Sequence, residues 1–207
     1  MQNFIFAVVI STSLFFSPSG ILSSESPIVT KAEILNEKER VVIAGSRLDI
    51  AQKMKEYNPK LTQQQINMII KSVNRYSKKY GVPEDLIFAI IAAESQYNPK
   101  CTGDLDDTGL MQIREKYAYG WTKGMGIEYK GAETLYDIDK NIHIGVYILN
   151  FLFKKYNNRL DRVLIAYNWG HGYVDRALEE GKELPREYIN LIKKHYFNIY
   201  RKKLDVP

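Results

Sequence analysis

From Thr62 onward the apolar residues recur every three or four positions rather than every two, and this period restricts the fold more than any other feature of the chain. Ile66, Ile69, Ile70, Val73 and Tyr80 make the first such series. Thr62 and Gln65 have the spacing of a capping box, in which each side chain satisfies a free backbone N–H of the first turn, and Gly81 suits the stop. Pro83 fits the first position of a second helix, and Glu84 and Asp85 complement the positive end of its dipole. Ile87, Ile90 and Ile91 carry that helix to about Gln96, where Asn98-Pro99 ends it. A loop follows, then a short helical stretch near Leu110 to Tyr117, with Gly120, Gly124, Gly126 and Gly131 marking a flexible connection. Another helix is expected from Asp139 to Tyr156, with Ile142, Val146, Leu149 and Phe153 on one face. Two more pieces flank Gly170-His171-Gly172, and a last one starts at Pro185 and carries Tyr188, Ile192 and Tyr196. No stretch alternates with period two for long, so the fold is mainly α with at most a small β element.

The N-terminal part has a different character. Phe4 to Phe16 is apolar apart from Ser11, Thr12 and Ser13, too short for a span of about 20 residues but suited to the core of a signal peptide. Ser17 and Ser19 offer small residues for cleavage before Gly20, although Gln2 and Asn3 bring no basic side chain to the front end. The alternative is an uncleaved anchor from Phe4 to Leu22, which would associate the chain with the inner membrane. Residues 1–22 are therefore read as signal peptide or membrane anchor, 23–56 as a charged linker with a short helix, and 57–203 as the main domain. On either reading the chain is exported to the periplasm or cell envelope.

A net charge of +5 favours an anionic partner such as nucleic acid, acidic lipid or bacterial wall. The basic residues are scattered among acidic ones without an arginine-rich tract or recognised binding motif, which argues against nucleic acid. Cys101 is the only cysteine, so an intrachain disulfide is excluded, and its plainest reading is a small structural residue. His143, His171 and His195 have no metal-ligand spacing, and no metal, nucleotide or organic cofactor is implied.

Glu94 is the residue that chemistry singles out. It lies three, four and seven positions after Ile91, Ile90 and Ile87, so it shares their helix face. A carboxylate there is disfavoured by desolvation and by the negative end of the helix dipole, and both effects keep it protonated as a general acid requires. Periodicity alone leaves open a helix-end glutamate that reaches into solvent.

Three ordered blocks surround or follow it: Glu94-Ser95-Gln96-Tyr97-Asn98-Pro99, Gly109-Leu110-Met111-Gln112-Ile113, and Ala166-Tyr167-Asn168-Trp169-Gly170. This series resembles the catalytic domain of soluble lytic transglycosylases, relatives of goose-type lysozyme, over about residues 60–200. The fifteen-residue step from Glu94 to Gly109 matches the family spacing, and Asn141-Ile142 with Gly145 and Leu149 resembles the family's connecting helix. The resemblance implies a lysozyme-like α-helical domain with its small β element near the active-site cleft. It also implies a peptidoglycan lytic transglycosylase, with the glycan strands as substrate and Glu94 as the single catalytic carboxyl group. Glu94 would protonate the oxygen between N-acetylmuramic acid and N-acetylglucosamine. The resulting carboxylate would take the proton of the muramoyl C6 hydroxyl as that oxygen closes a 1,6-anhydro ring.

The same resemblance implies substrate-binding roles for Ser95, Met111, Gln112, Tyr167 and Asn168, and a bond from Tyr188 to the glutamate. Beside these stand plainer readings: Ser95 as a helix-end hydroxyl bonded to backbone, and Met111 as core filling. Tyr117, Tyr119 and Trp121 are candidates for sugar stacking, though aromatics at helical spacing are more often core. The chain departs from the family in Gly103-Asp104-Leu105-Asp106-Asp107-Thr108 and in Arg114-Glu115-Lys116, where a proline is common. Two further readings stand beside the leading one. A hydrolytic goose-type lysozyme would need a second carboxylate such as Asp106 or Asp107. A non-catalytic peptidoglycan-binding module on the same fold would have no use for a carboxyl group on an apolar face.

Overall fold

The computed structural model describes residues 49–207. The expected leader at 1–22 and most of the expected linker lie outside the described residues. Helix α1 covers residues 49–57 and buries Ile50 and Met54, so the packed unit begins before residue 57. No helix among the described residues is long and apolar enough to cross a membrane.

Helix α2 (Gln63–Tyr80) starts as its sequence dictates. Thr62 Oγ1 accepts from the Gln65 N–H at 3.1 Å, and the Thr62 N–H donates to Gln65 Oε1 at 2.9 Å. Gly81 closes the helix at φ 71°, the left-handed conformation that only glycine adopts without steric cost. Helix α3 (Glu84–Ser95) begins one residue after Pro83, which occupies the N-cap position rather than the first helical one. Leu86 to Ala92 are all buried, so α3 is a central helix wrapped on every side rather than an amphipathic one.

The segment after α3 departs from the sequence expectation. Residues 110–112 do not form a helix, because Gly109 at φ 81° and Gln112 at φ 47° break the helical path. Strands β1 (Asp107–Thr108) and β2 (Ile113–Arg114) pair antiparallel there, with Asp107 opposite Arg114. Helix α4 (Glu115–Met125) then runs through Gly120 and Gly124, where the sequence alone suggests a flexible connection, and Gly126 stops it at φ 68°. The short α5 (Ala132–Tyr136) leads into α6 (Ile138–Lys155), whose Asp137 cap accepts from the Lys140 N–H. Helices α7 (Leu160–Trp169) and α8 (His171–Glu179) meet at Gly170, and α9 (Glu187–Tyr200) completes the fold.

The main helix pairs are α2 with α6, α3 with α9, and α7 with α8, and α6 and α9 each also pack against α7. One continuous core holds them together, from Ile50 near the start of α1 to Val206 beyond α9. Its centre is α3, where Ile87, Ile90 and Ile91 are fully buried, each worth about 1.5–3 kcal/mol of apolar burial. The functional consequence is the position of the α3 C-terminus, where the chain leaves this core beside the two-stranded ladder and α9.

Candidate active site

Glu94 occupies the last turn of α3, immediately before a sharp reversal. Gln96 and Tyr97 both lie in the left-handed region, at φ 50° and 60°, which for non-glycine residues costs free energy that the surroundings must offset. The offset comes from Tyr97, whose fully buried ring sends its hydroxyl to the Phe88 carbonyl at 2.9 Å. The turn therefore places Glu94 at the rim of the core, half-buried rather than free in water. Its Oε1 accepts a short hydrogen bond from the hydroxyl of buried Tyr188 on α9.

Burial pushes the Glu94 carboxyl up to about 7, the Tyr188 hydrogen bond opposes that rise, and the negative charge of Asp107 adds to it. The causes have a clear order. Desolvation in the shadow of α3 outweighs a single donor that favours the anion. Burial and the charge of Glu94 also push the Tyr188 phenol well above its ordinary range, so it remains a donor.

The facing wall is the segment from Cys101 to Arg114, and side chains from α3, α6 and α7 pin it. Ser95 Oγ donates to the Leu110 carbonyl at 2.8 Å and to the Ile91 carbonyl at 3.1 Å. Buried Asn141 on α6 accepts from the Met111 N–H at 2.8 Å and donates to the carbonyls of Thr108 and Leu135 at 2.9 and 2.8 Å. A side chain at Gly109 would collide with the Leu135 carbonyl and the Asn141 amide, so this close approach needs glycine. The Tyr167 hydroxyl on α7 donates to the Met111 carbonyl at 2.9 Å. Gln112 Nε2 donates to the carbonyls of Gly109 at 2.8 Å and Cys101 at 3.3 Å. On the ladder, Arg114 Nε is 3.1 Å from Asp107 Oδ1, which partly compensates the one charge that repels an ionised Glu94. Chemically, this is a carboxyl group poised near neutrality, able to give up a proton and to accept one back.

A model of the family described as the Transglycosylase SLT domain matches residues 71–190. The chain belongs to this family. Among its relatives, it is 32% identical to the membrane-bound lytic murein transglycosylase C of Photorhabdus laumondii, over 57% of this chain and 36% of that protein. It is likewise 32% identical to the soluble lytic murein transglycosylase of Salmonella typhimurium, over 48% of this chain and 16% of that one. The fold is similar to that of the 70 kDa soluble lytic transglycosylase of Escherichia coli, with a TM-score of 0.58 and 25% identity, covering 64% of this chain and 24% of that one. This chain thus spans about a third or less of the length of these relatives.

Within this transglycosylase fold, the expected site residues divide into two groups. Glu94, Tyr188, Gln112 and Tyr167 converge on one region, and Asn168 is exposed one residue beyond Tyr167. The side chains of Ser95 and Met111 are engaged within the protein. Ser95 is 5% exposed with its hydroxyl committed to two carbonyls, and Met111 is fully buried with its thioether packed against Gly145. Both serve the framework, because the α3 end and α6 approach too closely to leave them at the surface. Tyr117 and Tyr119 are 53% and 62% exposed on α4, whereas Trp121 is wedged edge-on between Tyr147 and Phe151. Burial and the charge of Glu94 raise the Cys101 thiol, which makes it a poorer nucleophile and fits a structural role. Sequence reasoning gave no function to Asn141; the available signal was an amide on a face that Ile142, Gly145 and Leu149 mark as buried.

Proposed function

We propose that this protein is a peptidoglycan lytic transglycosylase and that Glu94 carries both proton transfers. The observation that supports this reading is the carboxyl group held near neutrality at the rim of the core with one tyrosine donor. In the first step, neutral Glu94 donates its proton to the oxygen linking N-acetylmuramic acid to N-acetylglucosamine, and the C1–O bond breaks. In the second, the Glu94 carboxylate removes the proton of the muramoyl C6 hydroxyl while O6 bonds to C1. The proton count closes on the same residue, water is not consumed, and the product is a 1,6-anhydromuramoyl end.

The Tyr188 hydrogen bond orients Glu94 and steadies the carboxylate formed between the two steps. Gln112, Tyr167 and Asn168 are assigned to the sugar, with Asn168 the most accessible of the three. Relatives named as membrane-bound murein enzymes and the apolar run at Phe4 to Phe16 support an envelope location, with a leader or anchor at the N-terminus.

A second reading has one observation in its favour. The charge of Asp107 acts on Glu94, so a second carboxylate faces the acid as a hydrolytic lysozyme requires. Its pairing with Arg114 weighs against use as a base, since Oδ1 is engaged by the guanidinium at 3.1 Å. Digestion of purified peptidoglycan followed by mass spectrometry separates the two. Anhydro ends are expected; reducing ends heavier by one water would replace transglycosylation with hydrolysis. Digestion by Glu94→Gln at the wild-type rate would remove Glu94 from the chemistry altogether.

A further inference from the structure

The turn that presents Glu94 is braced from outside the stretch that the family model matches, which runs from residue 71 to residue 190. Gln96 and Tyr97 both hold positive φ, so the Tyr97 carbonyl leaves the path of α3, and Tyr97 is fully buried. A carbonyl that water does not reach needs a donor from the protein. Among the described residues that donor is Asn58, just after α1, whose Nδ2 donates to the Tyr97 oxygen at 3.2 Å.

Local sequence fixes which way the Asn58 amide faces. Its Oδ1 accepts the Lys60 N–H at 3.1 Å, which leaves Nδ2 free for Tyr97. Its backbone N–H ends α1 on the Met54 carbonyl at 2.8 Å. Met54 is fully buried and Ile50 nearly so, which seats α1 in the core and gives the amide a fixed base.

The neighbouring Tyr57 makes the second half of the brace. Its ring meets the Tyr97 ring edge-on at 5.7 Å, and its hydroxyl is 2.8 Å from Nδ1 of His195 on α9. His195 lies seven positions after Tyr188, two turns of about 3.6 residues, so both side chains leave α9 on one face. Tyr188 is the residue that donates to Glu94. Two adjacent residues thus touch both parts of the acid's setting: Asn58 holds the turn, and Tyr57 holds the helix that brings the phenol. A loosened turn would part acid from phenol, and misplacement by about 1 Å can cost about a hundredfold in rate.

We propose that Tyr57 and Asn58 are positioning residues for glycan cleavage, which keep the Glu94 turn in register with Tyr188 on α9. The proposal rests on Glu94 being the acid of the proposed function. Two variants of the full chain test it. Asn58→Asp keeps the size and the bond from the Lys60 N–H but puts an acceptor where the donor stood. Tyr57→Phe keeps the ring contact and removes only the hydroxyl. Turnover of soluble, uncross-linked glycan strands, per folded molecule by circular dichroism, gives kcat and KM. Asn58→Asp is expected to lower kcat about tenfold and Tyr57→Phe about threefold. KM should stay within about twofold of wild type, since neither residue is assigned to the sugar. In a Tyr188→Phe background the Asn58→Asp loss should shrink by about threefold or more, because the phenol it serves to align is gone.

Wild-type kcat in both folded variants, an effect on KM alone, or losses that multiply fully with Tyr188→Phe would each overturn the proposal. Should Asn58→Asp fail to fold, Tyr57→Phe and its combination with Tyr188→Phe carry the same test at smaller amplitude. Wild-type rates in the brace variants beside an inactive Glu94→Gln enzyme remove only the brace. An active Glu94→Gln enzyme removes the proposed function, whatever the brace variants give.

Discussion

Glu94 and Asp139 each accept a tyrosine hydroxyl at the edge of the same core, and they are shifted in opposite directions. At Glu94, burial dominates the single Tyr188 donor and the carboxyl rises to about 7. At Asp139, burial also pushes upward, but the hydrogen bonds from Ser72 and Tyr76, both 2.7 Å, and the charge of Arg75 at 3.3 Å bring it below its ordinary value. The helix ends add to the contrast. Asp139 is in the first turn of α6, where the dipole favours an anion, and Glu94 is in the last turn of α3, where it does not. A tyrosine partner alone thus does not make a carboxylate acidic or basic; the number of donors, a neighbouring cation and the end of the helix decide.

The largest test of this contrast is chemical. Glu94→Gln should lower peptidoglycan cleavage by about a thousandfold, as loss of a general acid–base group implies, while Asp139→Asn should leave turnover per folded molecule within about twofold. Release of soluble fragments at fixed enzyme concentration measures both. If Asp139→Asn in a folded protein is equally inactive, the two carboxylates do not have the separate roles assigned to them.

The next effect is read from pH. On the proposed mechanism Glu94 acts first in its protonated form, so cleavage should fall as pH rises through about 7. Tyr188 favours the carboxylate, so Tyr188→Phe should move that limb to higher pH and cost about tenfold in rate by loosening the acid. A limb displaced to lower pH would reverse the role assigned to the phenol.

Stability should separate the pair further. The raised Glu94 group costs nothing below its ordinary value of 4.5, and its ionisation works against folding as pH rises towards and past 7. Glu94→Gln should therefore gain on wild type at pH 8, by on the order of 1–3 kcal/mol, and gain little at pH 4. Asp139 behaves oppositely: its contribution is present above its ordinary 3.8 and is lost as pH falls below that. Asp139→Asn should lose about 1–2 kcal/mol at pH 7 through its weakened hydrogen bonds, seen as a lower Tm. The smallest effect belongs to Asp107→Asn. Removing that negative charge should shift the basic limb of the cleavage profile slightly to lower pH, the same direction in which the unpaired Arg114 cation acts.

The contrast also indicates what a sequence can reveal. Both acids are visible as residues, but only Glu94 is marked by its neighbours, because three isoleucines before it define a buried face. Even there the periodicity understated the structure, since α3 is enclosed on all sides and Glu94 meets water only where the helix ends. The helical periodicity of Leu110 to Gln112 is overridden in the fold, because the positive φ angles at Gly109 and Gln112 follow from the Asn141 clamp on α6 rather than from neighbouring residues. The motif around Ser95 and Met111 is legible in the sequence, whereas their burial is set by the packing of α3 and α6.

The sequence by itself determined the helical class, the Thr62–Gln65 cap and the Gly81 stop, all of which depend on residues within about a turn of one another. Tertiary structure decided what those features do. Tyr188 reaches Glu94 across 94 positions, Asn141 reaches Met111 across 30, and the charge of Asp107 faces the acid only after the ladder folds. Such pairings are set by how helices pack and how deeply each group is desolvated, and neither quantity is encoded in the spacing of adjacent residues.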